Sequence, residues 1–340
     1  MPHHGSDVLN VAVIGYGYWG PNLARNVLGI DGLHLAAIVD TRSDARERAN
    51  RNCPGTSCYS SVDELFANES LDVVLIATPA DSHFEIAMRC LTENCHVLVE
   101  KPLTTRIDQA EHLVSFAKDR GLQLMVDHTF LYSPAINYVK NMIDVSELGD
   151  LIYFDSTRSN LGIFQPDVSV LWDLAVHDVS ILLYLVDSFP ISISASSGRH
   201  PHSKHDAAIF LTLGFAHEFF AHINVSWLSP MKVRRLVLSG RKKTILFDDL
   251  GADERLRIYE ASVERGDVDQ SDLLQYRLGD VQIPRVIWSE PLRVEIEDFR
   301  DSVIDGKPRR SSASNAIPIL KVLIAAEESL QCDGKRIMIK

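Results

Sequence analysis

Three glycines near the start of the chain have the spacing that binding a dinucleotide pyrophosphate requires. Gly15, Gly17 and Gly20 form a G-x-G-x-x-G pattern directly after the apolar run Val11–Ile14 and before a helical pattern from Asn22. In a strand–turn–helix unit the first glycine permits the tight turn, the second lets phosphates approach the main chain, and the third lets the helix pack on the strand. The pattern predicts a dinucleotide-binding loop, with an ordinary glycine turn as the alternative.

An acidic residue ends the second apolar run. Leu33–Val39 leads into Asp40, about twenty residues beyond the glycines, where a carboxylate accepts hydrogen bonds from an adenosine ribose. Such an acid repels a 2′-phosphate, whereas the nearby Arg42 could pair with one. We therefore expect NAD(H) to be the better cofactor and NADP(H) the alternative.

Lys101 directly follows the strand-like run His96–Val99, between Glu100 and Pro102. Ligands of parallel sheets bind beyond the carboxyl ends of the strands, so we expect Lys101 to point towards the cofactor crevice. The alternative is an ordinary surface lysine. The proline that follows restricts the backbone, which favours a fixed position for the side chain.

Asp173 and His177 are four residues apart within a mostly apolar helical pattern, Val170–Val186, so they share one helix face. Unpaired buried polar groups cost roughly 1–3 kcal/mol each, so both side chains need partners. They either satisfy each other in the core or belong to a functional site, and Asp178 offers His177 a second carboxylate. His83, near the start of another helix, is expected to be a cap or a supporting group rather than a catalyst.

Alternating strand and helix signals position the glycine loop and Lys101 in a first domain, residues 1–128. The strand-like runs are Val11–Ile14, Leu33–Val39, Asp72–Ala77, His96–Val99 and Leu122–Val126. Helical patterns lie between these runs. The alternation predicts an α/β domain with a doubly wound parallel sheet, the Rossmann arrangement.

From about Asp150 the pattern changes to strands with few helices between them, which predicts a second domain, residues 129–340. The strand-like runs are Leu151–Thr157, Ile191–Ser197, Ala207–Leu213, Glu218–Val225 and Val233–Leu238. Helical patterns occur at Val170–Val186, Leu292–Asp305 and Asn315–Leu330. Consecutive strands without crossover helices predict an antiparallel or mixed sheet.

Charge and composition exclude several classes of protein. The 340 residues suffice for two domains, and a net charge of −12 argues against a nucleic-acid or anionic-membrane partner. The chain has no apolar run of membrane-spanning length and no apolar signal core at its N-terminus, so we expect a cytoplasmic protein. Its cysteines and histidines fit no common zinc spacing, so we predict no metal.

Taken in order, these motifs resemble the Gfo/Idh/MocA family of glucose-fructose oxidoreductase, inositol dehydrogenase and their relatives, over nearly the whole chain. The matching features are Gly15–Gly20, Asp40, Ile76–Ala87, Glu100–Pro102 and Asp173–His177. Two further stretches, Asp127–Ile136 and Ser226–Gly240, are similar to members that act on nucleotide-linked sugars, the UDP-N-acetylglucosamine-type 3-dehydrogenases.

The resemblance implies a Rossmann domain followed by an α+β domain with a large, open, mostly antiparallel sheet, through which homodimers or homotetramers form. It implies reversible hydride transfer between a nicotinamide and a secondary alcohol of a sugar, and it matches Lys101, Asp173 and His177 to the family's catalytic residues. An imidazole titrates near neutrality and suits proton transfer. A lysine would stabilise charge on the alcohol oxygen, and Asp173 would orient the other groups. The base is either Lys101 or His177.

The expected contacts form two sets. Cofactor contacts are predicted for Gly15, Gly17, Tyr18, Trp19, Gly20, Asp40, Arg42, Thr78, Pro79, His83, Glu100 and Lys101. Substrate contacts are predicted for Lys101, Arg158, Asn160, Trp172, Asp173, His177, Trp227 and Lys232. Trp227 has an equal claim to be a core or interface aromatic. A nucleotide-activated sugar is the expected substrate, and a free polyol or inositol is the alternative. A protein on this fold that only senses a sugar or cofactor is the alternative from another class.

Overall fold

The computed structural model describes residues 8–162, 164, 168–265 and 274–339. The chain divides into two compact units. Unit 1 contains Met1–Tyr132 and Ser289–Leu320, and unit 2 contains Ser133–Trp288 and Lys321–Lys340. The domain division expected from the sequence stays a prediction. It assigned residues 289–320 to the second domain, whereas in the structure they belong to unit 1.

Unit 1 is built on a parallel sheet whose strands alternate with helices. Its strands are β1 (Leu9–Ile14), β2 (Leu33–Val39), β3 (Ser57–Tyr59), β4 (Val73–Ile76), β5 (His96–Glu100) and β6 (Leu124–Asp127). Its helices between strands are α1 (Gly20–Leu28), α2 (Ser43–Asn52), α3 (Val62–Asn68), α4 (His83–Thr92) and α5 (Ile107–Asp119). In the described residues the strand order is β3-β2-β1-β4-β5-β6. Because the order reverses between β1 and β4, the ends of these two strands flank the crevice in which such sheets bind ligands.

The second segment of unit 1 adds helix α8 (Pro291–Asp305) and the first part of α9 (Ala313–Gln331). The Tyr132 hydroxyl donates to Asp298 on α8 at 2.9 Å and lies 2.9 Å from the Ser311 hydroxyl. The backbone N–H of Val126 in β6 donates to the Ser311 carbonyl at 2.9 Å. These bonds fasten the returning segment beside β6.

Unit 2 contains a large mixed sheet. Its strands are β7 (Leu151–Leu161), β8 (Ser192–Gly198), β9 (Ala208–Gly214), β10 (Phe220–Ser226), β11 (Leu228–Gly240), β12 (Thr244–Asp248), β13 (Leu256–Arg265), β14 (Leu274–Gln282) and β15 (Ile337–Met338). Over the described residues they follow the order β14-β13-β12-β11-β7-β10-β9-β8-β15, with β7 and β10 parallel and the other pairs antiparallel. Helices α6 (Pro134–Asp144) and α7 (Val176–Val186) belong to the same unit.

The fold class expected from the sequence is confirmed. Parallel strands buried on both faces read as continuous apolar runs, which is why β1, β2, β4 and β5 were located within one or two residues. Strands β3, β12, β13, β14 and β15 were missed. The first of these is three residues long, and β13 alternates buried Leu256 and Ile258 with charged neighbours, a period-two signal that was available.

Candidate functional site

At two of the three glycines between β1 and α1, packing within the protein leaves no room for a side chain. Gly15 has φ +94°, and a Cβ there would lie 2.4 Å from the carbonyl oxygen of Ala77. A Cβ on Gly20 would lie 2.0 Å from the carbonyl oxygen of Gly15. A Cβ on Gly17 would meet no atom within 4 Å. The fold therefore requires Gly15 and Gly20 but leaves Gly17 facing open space, as close approach of a phosphate to the backbone requires.

Replacing Gly17 with alanine should weaken dinucleotide binding without destabilising the fold. The new methyl group enters space that the fold leaves open, so unfolding free energy should stay unchanged or rise by about 0.4–1 kcal/mol. We expect the NADH dissociation constant, measured by fluorescence titration, to rise about tenfold or more, a loss of roughly 1.4 kcal/mol.

Gly198→Ala is the matched control, because a Cβ on Gly198 also meets no atom within 4 Å. It should leave both stability and NADH affinity unchanged. Equal NADH affinity in the Gly17→Ala and wild-type proteins would contradict a phosphate-binding role for this loop.

Asp40, just beyond the end of β2, is held against the glycine loop. One carboxylate oxygen accepts the backbone N–H of Tyr16 at 2.8 Å, and the other accepts the backbone N–H of Arg42 at 2.9 Å. The Arg42 guanidinium lies 3.7 Å from the second oxygen and is mostly exposed. A carboxylate offers about four acceptor positions, so Asp40 retains capacity for a ribose diol.

Trp19 and Tyr18 follow the glycine loop. The indole N–H of Trp19 donates to Asp127 at 2.7 Å, and the Thr129 hydroxyl donates to the other oxygen of that carboxylate. Tyr18 is 85 % exposed and lies stacked on Trp19, with ring centroids 6.5 Å apart. Trp19 is thus fixed to the end of β6, whereas Tyr18 is available to a ligand.

His83 joins the loops that follow β4 and β5. Its two ring nitrogens lie 2.8 Å from the Pro102 carbonyl oxygen and 2.9 Å from that of Thr78. Burial lowers the pKa of His83, so the neutral ring donates to one carbonyl and contacts the other. The Ser82 hydroxyl also donates to Thr78 Oγ1 at 2.8 Å. His83 therefore connects the backbone after β4 to the backbone beside Lys101, and its supporting role stays a prediction.

A group of three carboxylates, of which Asp127 and Glu295 are buried and Glu100 is partly exposed, begins at the residue before Lys101. Glu100 accepts the Lys101 backbone N–H at 2.9 Å and is the register partner of Asp127 at the ends of β5 and β6. Glu295 on α8 is fully buried, and neither of its oxygens has a hydrogen-bond partner among the described residues. Burial, followed by the charge of Asp127, raises the pKa of both Glu100 and Glu295 well above the usual range.

The sequence interpretation predicted Glu100 as a cofactor contact, but it did not name Asp127, Glu295 or the buried histidine of the same group as site residues. His128 is fully buried beside Asp127, and burial lowers its pKa to about 4. Asp127 ends a strand of the parallel sheet, which is a signal that could have identified it. Glu295 is separated from Asp127 by 168 positions in the sequence, and no local pattern connects the two.

Replacing Glu295 with glutamine should reduce the loss of stability that occurs as pH rises from about 5 to 8. A carboxyl whose folded-state pKa is raised holds a proton that the unfolded chain releases, so its stabilising contribution falls as pH rises from about 4.5 through the folded pKa. As pH rises from about 5 to 8, the unfolding free energy of Glu295→Gln should increase relative to that of wild type. The expected increase is about 1.4 kcal/mol for each unit by which the folded-state pKa exceeds the unfolded-state pKa within that window.

Urea unfolding at the two pH values measures this difference, and the exposed Glu328→Gln serves as the control. Parallel pH dependence of the wild-type and Glu295→Gln proteins would show that Glu295 does not titrate differently in the folded state.

In unit 2, Asp173 and His177 lie on consecutive turns. Asp173 belongs to a π-helical turn, Leu171–Ala175, which runs directly into α7, and His177 lies in the first turn of α7. Isolated π turns within helices occur frequently at functional sites. Both side chains are partly exposed, unlike most of the helix around them.

Trp227 fixes the Asp173 carboxylate. Its indole N–H donates to Asp173 Oδ2 at 3.0 Å, and the indole itself is almost fully buried. A Cβ on Gly162 would lie 2.9 Å from the indole ring and 3.2 Å from the Asn160 amide oxygen, so these groups are close-packed. The Asn160 amide therefore lies close to the Trp227 indole, and the indole N–H holds the Asp173 carboxylate in place.

Arg158 is placed differently from the substrate contact expected of it. Its guanidinium makes a buried, two-point ion pair with Asp178, at 2.7 and 3.3 Å. The partner of Asp178 is therefore Arg158 on β7, and not His177 as the sequence allowed. The Trp172 indole N–H likewise donates to Glu327 at 2.7 Å and is buried.

The structure thus separates the predicted substrate residues of unit 2 into two groups. Asn160, Asp173 and His177 keep partly exposed side chains, and Lys232 is exposed within an irregular stretch of β11. Arg158, Trp172 and Trp227 are buried and bonded to partners within the unit. Lys101 belongs to unit 1, and its predicted participation in the same reaction stays a prediction.

Metal and membrane features are absent from the part of the chain that the structure describes. There, no three His, Cys, Asp or Glu side chains are grouped so as to hold a metal ion. No helix in those ranges combines the length and apolarity needed to cross a bilayer.

Family comparisons match both parts of the chain. Residues 9–128 match the model described as the oxidoreductase family, NAD-binding Rossmann fold. Residues 136–246 match the GFO/IDH/MocA C-terminal domain. The two matches together cover about two thirds of the chain, in the order in which the domains occur in the family.

Individual relatives extend the likeness to nearly the full length. The UDP-N-acetylglucosamine 3-dehydrogenase of Acidithiobacillus ferrooxidans is 28% identical over 337 residues, covering 95% of this chain and 99% of the relative. Its solved structure covers 96% of this chain and 99% of its own, with a TM-score of 0.78. An inositol 2-dehydrogenase of Mycolicibacterium smegmatis is 28% identical over 62% of this chain and 68% of its own. GenD2 from gentamicin A biosynthesis, solved in complex with NAD, covers this whole chain and 99% of its own, with a TM-score of 0.81 at 21% identity.

Proposed function

Because the chain belongs to the Gfo/Idh/MocA family of oxidoreductases, which act on alcohol groups, we propose that it transfers a hydride between NAD(H) and a secondary alcohol of a nucleotide-activated sugar. The oxidoreductase class rests on the family. The choice of a nucleotide-activated sugar rests on one observation, the 28% identity to the UDP-N-acetylglucosamine 3-dehydrogenase along almost the entire length of both chains.

The residues present fit a nicotinamide dinucleotide. The open backbone at Gly17 and the N-terminus of α1 suit the pyrophosphate, and Asp40 retains acceptor positions for a ribose. When bound, the dinucleotide supplies the hydride acceptor or donor.

The other steps fall to side chains of this chain. The Lys101 ammonium would stabilise negative charge on the alcohol oxygen, while the His177 imidazole would carry its proton. Asp173, held by the Trp227 indole, would orient the sugar or the two cationic groups. Lys101 remains the alternative proton acceptor, because lysine side chains also act as general bases.

Replacing Asp40 should remove the preference for NAD(H). The carboxylate would accept the ribose hydroxyls and repel a 2′-phosphate, so NADH should bind more tightly than NADPH to the wild-type protein. We expect Asp40→Ala to weaken NADH binding about tenfold and NADPH binding much less, as measured by fluorescence titration.

Asp40→Asn is the matched control, because its amide oxygen can still accept the Tyr16 N–H, whereas the charge and the acceptor for the Arg42 N–H are removed. It should retain the loop and lose part of the discrimination against NADPH. A wild-type preference for NADPH, or unchanged NADH affinity in Asp40→Ala, would show that Asp40 does not bind the ribose.

The substrate class is tested by comparing purified protein with UDP-N-acetylglucosamine, free inositols and free monosaccharides while following reduced nicotinamide by absorbance. We expect reduction of NAD with the nucleotide sugar. Turnover of inositol alone would favour the polyol dehydrogenase alternative, which the partial match to inositol 2-dehydrogenase supports. Cofactor binding without turnover of any alcohol would favour a sensing role.

We also propose that a second copy of this chain covers the exposed face of the unit 2 sheet. That face carries two aromatic pairs, Tyr153 with Phe220 and Phe210 with His222, whose ring centroids are 5.9 and 6.4 Å apart. Phe210 and Phe220 are both more than two fifths exposed. Sedimentation analysis should give a dimer or tetramer, and a monomer at micromolar concentration would overturn this assembly.

A further inference from the structure

A row of aromatic and imidazole rings leads outward from Asp173 within unit 2. The Trp227 indole, which bonds to Asp173, has its ring centroid 5.5 Å from that of Phe164. The Phe164 ring lies 6.1 Å from His200, and His200 lies 5.4 Å from His202. Trp227 is buried, whereas the other three rings are exposed. We refer to these four residues as the ring row.

The loop that carries the outer rings is fastened to the same elements as Asp173. This loop, residues 199–207, connects β8 to β9, and the carbonyl of Asp206 near its end accepts the backbone N–H of Val170 at 3.2 Å. The next carbonyl, that of Ala207, accepts the Trp227 backbone N–H at 2.8 Å. The end of this loop is therefore hydrogen-bonded both to the start of the helix that carries Asp173 and to Trp227.

The loop is also rich in cationic and imidazole groups, although the whole chain carries a net charge of −12. Its sequence, Arg199-His-Pro-His-Ser-Lys-His205, contains five such side chains in seven residues. Arg199 lies 3.5 Å from Asp206 but is 61 % exposed, and Lys204 is exposed. Neither the proposed cofactor contacts nor the proposed proton transfer uses any of these groups.

We propose that the ring row and the β8–β9 loop form the subsite for the nucleoside diphosphate part of the substrate. The inference rests on the proposed function, since it places the sugar at Asp173 and His177 and the rest of the substrate farther along the ring row. Flat rings stack on nucleobases, and Arg, Lys and imidazole N–H groups donate charge-assisted hydrogen bonds to phosphate oxygens. The ring row and its cations supply both kinds of contact beside Asp173.

The test uses UDP as the probe and the NADH-loaded full-length protein. Calorimetry should show UDP binding to wild type and at least about tenfold weaker binding to the His200→Ala/His202→Ala variant. For oxidation of UDP-N-acetylglucosamine, this variant should have a KM raised about tenfold and a kcat within about twofold of wild type, because the removed contacts are remote from the reacting carbon.

His217→Asn is the control. His217 is exposed in the β9–β10 turn, at the opposite end of β9, and its φ of +61° suits asparagine. It should change neither UDP affinity nor KM.

The possible failures are distinguishable. If wild type does not bind UDP at millimolar concentration, or if the double variant binds it as tightly as wild type, the subsite is refuted even where nucleotide sugars are oxidised. If UDP binds through the ring row but no nucleotide sugar is oxidised, the subsite is supported and the proposed function fails.

Discussion

Lys101→Ala is expected to lower turnover by about 100-fold or more while leaving NADH affinity close to that of wild type. The ammonium group would stabilise charge on the alcohol oxygen during hydride transfer, and general acid–base groups contribute roughly 10²–10⁴-fold to such steps. The backbone at Lys101 is held by Glu100 and, through Pro102, by His83, so truncating the side chain should leave these contacts intact. Steady-state kinetics and NADH titration on the same preparation measure both quantities.

His177→Ala provides the companion measurement in unit 2. We expect a similar loss of turnover, with a milder loss in Asp173→Asn if Asp173 only orients its neighbours. A purely structural role for His177 predicts a lower melting temperature with near-normal turnover in the folded fraction. Full activity in the Lys101→Ala protein would refute the proposed chemistry, whatever the stability data show.

Arg158→Met is expected to destabilise the protein by about 3–5 kcal/mol, because it leaves the Asp178 carboxylate buried without its partner. The two side chains are 8 % and 5 % exposed, so solvent can do little to replace the lost contact. Replacing both partners, as Arg158→Met/Asp178→Leu, should recover much of the loss, since apolar pairs of similar volume substitute well for buried ion pairs. Chemical denaturation of the single and double variants measures these energies.

The same variants test whether Arg158 contacts substrate, as its position in the sequence suggested. A substrate contact predicts that Arg158→Met folds with near-normal stability and has a raised KM. The ion-pair role predicts that Arg158→Met is strongly destabilised. If the double variant recovers stability and has the KM of the wild-type protein, Arg158 makes no direct contribution to substrate binding.

Sequence patterns located the parts of the candidate site that depend on local structure. The glycine loop, Asp40 and Lys101 lie at strand ends, and the strands were visible because buried parallel strands are continuously apolar. Asp173 and His177 were visible because polar side chains interrupt an apolar helix. In each case the signal lies within a few residues of the position that it identifies.

The contacts that support these residues were not predictable in the same way. The bonds from Trp19 to Asp127, from Trp227 to Asp173 and from Arg158 to Asp178 connect different elements. Which partner a buried indole or guanidinium finds depends on the register and packing of those elements, and periodicity within one element carries no information about it.

Unit 1 has a consequence for the order of events during synthesis. Its sheet ends with β6, but residues from Ser289 to Leu320 pack against it, and the Tyr132 hydroxyl meets its partners on this late segment. The nucleotide-binding half therefore cannot reach its final form when its own strands leave the ribosome. Its last pieces arrive only after unit 2 has been translated almost completely. In a nascent chain halted before residue 289, the edge of the sheet at β6 and the carboxylates beside it should be exposed to water. Domains left incomplete in this way are prone to aggregation and to capture by chaperones.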